Sequence, residues 1–159
     1  MPDISFKFEE GKFNYRVGCV LIADGRLLVM RDEGTDGYYL PGGRIHLGEK
    51  AEDAAVREMQ EELGIAVKVV RPLWVKEGFF TEFSSGRRCH EIALYFLLDA
   101  SGSDLLSRGD RFDREDEGVL HHFEWMYFDR LEHAEMYPVF LRTAARSLPD
   151  SLTFVTESC

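Results

Sequence analysis

The sequence predicts a mixed α/β domain, a mixed β-sheet carrying a helix on each side. Three observations predict it. Runs rich in Val, Ile, Tyr and Phe recur with turn signals between them. One stretch free of glycine and proline, Lys50 to Leu63, has helical periodicity. The resulting order is strands, helix, strands, helix, which is not the strict alternation of a βα fold. The 159 residues suffice for one domain with a full core, and no linker or internal repeat divides them.

Taken in order, Phe13 to Ala23 reads as a strand, Asp24-Gly25 as a turn and Arg26 to Arg31 as the returning strand of a hairpin. Asp32 to Gly37 is a polar loop. Tyr38 to Leu40 is a short strand that enters Pro41-Gly42-Gly43, read as a turn into the helix. Lys50 to Leu63 is rich in Ala, Glu, Met and Leu, good helix formers, and Gly64 stands where a left-handed cap ends a helix. Ala66 to Phe80 is extended and bent near Arg71-Pro72. Ser84-Ser85-Gly86 turns the chain, and Arg88 to Leu98 returns as a strand. Ser101 to Gly118 is polar and has no clear structure. Such a length is uncommon in a compact domain unless it serves a site or is an insertion. Val119 to Phe128 reads as a strand, Met136 to Leu148 as a second helix with Pro138 in its first turn, and Leu152 to Val155 as a last strand.

Lys and Arg number 19 against 29 Asp and Glu, a net charge of −10. That balance disfavours duplex nucleic acid and anionic membrane, yet it accommodates a nucleotide whose phosphates are bridged to the protein by metal. No apolar run approaches the ~20 residues of a membrane span, and the first residues lack the pattern of a secretion signal. A cytoplasmic protein is therefore expected; a homodimer is left open. Cys19, Cys89 and Cys159 match neither a zinc site nor a redox pair. Cys19, inside an apolar run, is expected to be buried, and Cys159 to be an exposed terminal thiol. The histidines (His46, His90, His121, His122 and His133) have no zinc-site spacing.

The chemistry concentrates in the first helix. At about 100° per residue, Glu58, Glu61 and Glu62 fall within an arc of about 100°. Ala55, Met59 and Leu63, with Val56 beside them, form an adjoining apolar stripe that can dock on a core. Ala51 and Ala54 lie on the carboxylate side and leave room for a ligand. Two carboxylates ~5 Å apart repel by roughly 3 kcal/mol at an effective dielectric near 20, so the cluster calls for a cation. Hard oxygen donors suit Mg²⁺ or Mn²⁺ rather than zinc. The competing reading is a solvated acidic helix face.

From Gly43 to Ile65 the spacing is a glycine, Glu49 six places on, Arg57-Glu58, the apolar Met59, Glu61-Glu62, then Gly64 and the aliphatic Ile65. This is the Nudix box with every fixed position filled, and the chain resembles the Nudix hydrolases. The resemblance spans roughly residues 13 to 148 and implies an α/β/α sandwich. It implies hydrolysis of a nucleoside diphosphate linked to another group, such as a nucleotide sugar, ADP-ribose or a nucleoside triphosphate. A non-catalytic nucleotide-binding regulator and an RNA-decapping-type hydrolase are the alternatives.

The resemblance also implies roles, carried residue by residue. Glu58, Glu61 and Glu62 are metal ligands, with Glu61 either a ligand or the base that activates water. Gly42, in Leu40-Pro41-Gly42-Gly43, offers its carbonyl to the metal. Arg57 pairs with Glu49 and orients the cluster, and its spacing also allows a pair with Glu61. Glu117, favoured over Glu115, is a further acidic ligand from the loop before a late strand. Arg31, Arg87 and Arg88 are candidates for substrate phosphate, with plain surface positions as the alternative. Tyr39, Trp74, Phe79 and Phe80 are candidates for stacking on a base, with core packing as the alternative.

Overall fold

The apolar run that begins at Phe13 serves two sheets. In the computed structural model, which describes residues 1–158, it forms β2 (Lys12–Val20), breaks at Leu21 and resumes as β3 (Ile22–Ala23). Asp24 and Gly25 turn the chain with φ of 53° and 72°, and β4 (Arg26–Asp32) returns. The expected hairpin is thus reduced to β3 and β4, paired at Ile22↔Leu27 and Ala23↔Arg26. β2 itself pairs in parallel with β7 (Arg88–Asp99). The run can cross between sheets because Val17, Cys19, Val20 and Leu21 are all buried, leaving no solvent face to preserve.

One sheet has six strands. β1 (Ser5–Lys7), β2, β7, β6 (Lys68–Thr81) and β10 (Thr153–Ser158) follow in that order, with β5 (Gly42–Arg44) also on β2. The β2–β7 and β6–β10 pairs are parallel and the others antiparallel, so the sheet is mixed. The other sheet is antiparallel, in the order β3, β4, β9 (Val119–Tyr127), β8 (Arg111–Asp116). On one side of this β layer α1 (Ala51–Leu63) buries Ala54, Ala55, Met59 and Leu63 against Val17, Cys19, Ile45, Phe96 and Trp125. On the other, α2 (Phe128–Leu131) and α3 (Leu141–Ala144) bring Leu131 and Leu141 onto Val20, Leu27, Trp74 and Met126. The architecture is the expected α/β/α sandwich.

α1 ends as expected, with Gly64 left-handed at φ 66° and its N–H bonded to Gln60. Val56 departs from expectation and is solvent-exposed, standing at the edge of the buried stripe beyond Leu63. The bend near Arg71-Pro72 is real: the β6–β7 register shifts between Val69 and Arg71 and again between Pro72 and Trp74. Cys19 is buried, as expected, and so is Cys89; Cys159 lies outside the described residues.

Three further expectations are corrected. Tyr38 and Tyr39 make only isolated bridges, and the strand comes later, as β5 through the glycines read as a turn. The helix over Met136 to Leu148 is reduced to the single turn of α3. Met136 bridges to Tyr38, and the N–H groups of Val139 and Phe140 donate to the Glu157 carboxylate at 3.0 and 2.7 Å. Those contacts recruit the segment to strand ends before a helix can propagate. The segment from Ser101 to Gly118 is structured: a 3₁₀ turn (Leu105–Arg108) and then β8. Two apolar residues anchor it, Leu105 fully buried and Phe112 stacked on Phe123 at 5.2 Å, and Arg108 donates to the Leu63 carbonyl at the end of α1.

Candidate active site

Backbone pairing sets the site. β5 lies on β2 through Gly42↔Gly18, Gly43↔Val17 and Arg44↔Arg16, which presses the two glycines against α1. A Cβ on Gly43 would stand 2.2 Å from Glu58 Oε1, so the Glu58 carboxylate occupies the space that only glycine leaves. Gly42 has φ 153°, and a Cβ there would meet the Val17 carbonyl oxygen at 2.2 Å. Its N–H donates to Glu62 Oε1 at 3.4 Å.

Arg57 ties the acidic face together. Its guanidinium donates to both Glu49 oxygens at 2.8 and 3.0 Å, to Glu58 at 3.0 Å, to Glu61 at 3.2 Å and to the Arg44 carbonyl at 2.9 Å. The hydrogen bonds from Arg57 hold the Glu49 carboxyl down at about 2. Glu58, buried, is pushed upward by loss of hydration, against the pull of Arg57. Glu62 is raised to about 8, by burial first and then by the charge of Glu58. Its Oε2 is buried and has no hydrogen-bond partner among the described residues. Glu61 is more than half exposed. Among the described residues no three His, Cys, Asp or Glu side chains already converge as a metal-holding group: Glu58 and Glu61 turn to Arg57, and Glu62 to Gly42.

A cavity of about 890 Å³ opens beside Gly42 and Glu62, over the face of the six-stranded sheet. Of the residues singled out in the sequence it gathers Tyr39, Gly42, Glu62, Phe79 and Phe80. Tyr39 also donates to Asp32, which accepts from His121 as well. Trp74 is packed edge-on against Tyr95 and Phe140 in the core. The arginines go elsewhere. Arg31 donates to the Thr35 carbonyl and lines a separate small cavity with Arg111 and His122. Arg87 reaches the Phe8 carbonyl, and Arg88 lines a groove with Phe6 and Phe13. Glu117 sits exposed at the tip of the β8–β9 turn with φ 50°, and the acid of that turn whose charge bears on Glu62 is Asp116. Sequence reasoning missed Arg16, Lys76, Glu91 and Glu157, all of which line the large cavity. The alternation of Asn14, Arg16 and Gly18 along β2 carried a faint signal; for the others, strand pairing alone reveals a shared face.

With that geometry in view, the class of protein is defined: the NUDIX domain model matches residues 12–146, and the chain belongs to the Nudix family. An ADP-ribose pyrophosphatase of Methanocaldococcus jannaschii is 36% identical over 102 residues, which are 62% of this chain and 58% of that protein. The chain thus spans less than two thirds of that relative's length. An RNA pyrophosphohydrolase of Xylella fastidiosa is 27% identical over 132 residues, 76% of this chain and 68% of that protein. The crystal structure of a MutT mutator protein from Bacillus halodurans overlays with a TM-score of 0.61 and 18% identity, covering 89% of both chains, a likeness of fold. No helix among the described residues is long and apolar enough to cross a membrane.

Proposed function

We propose that this chain is a divalent-metal-dependent pyrophosphohydrolase acting on a nucleoside diphosphate linked to a further group. The observation that carries this reading is the unpartnered, buried Glu62 Oε2 beside the carboxylate of Glu58. A buried carboxylate oxygen without a donor is costly, and a cation satisfies it where a proton otherwise must. The donor set is oxygen throughout and fits Mg²⁺ or Mn²⁺.

Glu58 and Glu62 would hold the metal, with the Gly42 carbonyl as a further ligand. Asp116 takes, in this reading, the place that the resemblance gave to Glu117. Bound there, the divalent ion supplies positive charge against the diphosphate oxygens. Glu61, the exposed member of the set, accepts the proton of the attacking water. Arg57 is a positioning residue that keeps Glu58 and Glu61 aimed while its own charge offsets theirs. Tyr39 and Arg16 contact the substrate from the cavity lining. The net charge of −10 favours a small nucleotide over duplex nucleic acid. The Xylella relative, named an RNA pyrophosphohydrolase, favours a second reading in which the substrate is an RNA.

The test is a substrate panel (nucleotide sugars, ADP-ribose, nucleoside triphosphates and a 5′-triphosphorylated RNA) with Mg²⁺ or Mn²⁺, the products identified by mass. Glu61→Gln is expected to lower kcat by about 100-fold or more. Turnover unchanged in both Glu61→Gln and Glu62→Gln would reject the mechanism.

A further inference from the structure

We propose that Lys76 recognises an anionic oxygen group, a phosphate or carboxylate, on the part of the substrate farthest from the box glutamates. This rests on the pyrophosphohydrolase reading and narrows its substrate class to nucleoside diphosphate derivatives with an extra negative charge beyond the diphosphate.

Strand register lays out the cavity floor. Arg16, Ala93 and Lys76 lie side by side across β2, β7 and β6. The adjoining row is Asn14, Glu91, Gly78 and Glu157, the last from β10. Residues two apart on a strand share a face, and of the two rows all but Asn14 line the same cavity. Ala93 and Gly78 leave a depression, and the Lys76 side chain lies along it. A Cβ on Gly78 would stand 2.6 Å from Lys76 Cε and 2.9 Å from Nζ.

Lys76 is only 5% exposed, and it lines the cavity. Among the described residues its ammonium has no carboxylate within 4.0 Å and donates no hydrogen bond. The acids of the adjoining row are engaged elsewhere. Glu91 lies 3.9 Å from Arg16 Nε, and Glu157 accepts from the N–H groups of Val139 and Phe140. The aliphatic part of Lys76 is packed away while its ammonium opens onto the cavity with no carboxylate of its own, and a methionine would fill the same depression. A cation on the floor of a cavity with no partner of its own is one poised for a ligand of opposite sign.

Position identifies which part of the ligand it meets. β5, which carries Gly42, and β6, which carries Lys76, are three strand spacings apart, roughly 14 Å. A diphosphate at Glu58 and Glu62 ends well short of Lys76. Arg16, on the intervening β2, is the cation within its reach. The group that meets Lys76 is therefore carried by the moiety beyond the diphosphate.

The experiment is calorimetric binding in Mg²⁺ with Glu61→Gln as the parent protein, so that the ion that would hold the diphosphate is present while turnover is slowed. Two ligand pairs differ by one charged group: UDP-glucuronate against UDP-glucose, and coenzyme A against dephospho-coenzyme A. The parent is expected to bind the charged member of at least one pair about 10-fold more tightly. Lys76→Met should bind both members of that pair equally, and Lys76→Arg should keep part of the preference. The responding pair tells a sugar carboxylate from a ribose phosphate. No preference in either pair, absence of binding included, or a preference retained by Lys76→Met, overturns the proposal. Thermal unfolding gives a second readout: Lys76→Met should melt at or above the parent temperature. A fall of more than about 5 °C would mark the ammonium as a structural group and overturn it too. Discrimination in binding without hydrolysis by the unsubstituted chain in Mg²⁺ would sink only the pyrophosphohydrolase reading. Hydrolysis without discrimination would sink only the role of Lys76.

Discussion

Glu62 and Arg57 carry the chemistry at the residue scale. With its pKa raised from 4.5 to about 8, the Glu62 carboxyl stays protonated in the folded, metal-free chain at pH 7. The sign follows from linkage: the folded state holds this proton more tightly than the unfolded one, so Glu62 lowers stability as pH rises from about 4.5 to about 8. Mg²⁺ binding at pH 7 should release close to one proton, measured by calorimetry in buffers of different ionisation enthalpy. Glu62→Gln should release none. Arg57→Ala removes the partner of buried Glu58 and the fork on Glu49. It should destabilise the fold by roughly 2–3 kcal/mol in urea titration, below the range for fully buried pairs because Arg57 is partly exposed. Arg57→Lys should recover charge without the fork and fall between.

Two neighbouring glycines separate fold from site at the scale of elements. Gly42→Ala drives a Cβ into the Val17 backbone from a φ that other residues rarely adopt, and should cost roughly 3 kcal/mol of stability by losing the β5–β2 pairing. Gly43→Ala meets a side chain, Glu58, which can swing away. Its far-UV circular dichroism should match the parent's while turnover falls about 100-fold. The 3₁₀ turn before β8 gives a complementary case: Leu105→Ala should cost about 3 kcal/mol, since this fully buried side chain anchors a segment otherwise polar. That segment was illegible in the sequence because two anchors, Leu105 and Phe112, sit among charges that mask their period. α1 was legible because its stripe, its glycine cap and its carboxylate spacing all agree over Ala51–Leu63.

For the whole molecule, the two apolar clusters share the β layer, because β2 and β4 each supply residues to both: Cys19 and Val20, Leu28 and Leu27. Such sharing predicts one cooperative unit. Trp125 reports one cluster and Trp74 the other. Within Trp74→Phe and within Trp125→Phe, the urea midpoints by fluorescence and by circular dichroism should coincide; separate midpoints would mean the two clusters unfold apart.

The amino-acid order by itself determined the mixed α/β class, the extent and cap of α1, the bend of β6, and the acids and arginine of the box. All of these are local, written in spacings of a few residues. Only the tertiary structure decided that the first apolar run divides between two sheets, that Arg31, Arg87 and Arg88 lie outside the cavity lining, and that Arg16, Lys76, Glu91 and Glu157 share its floor. Those four come from β2, β6, β7 and β10, so their meeting depends on long-range strand register. Register is set by which faces the whole chain can bury at once, and no window of sequence contains that information.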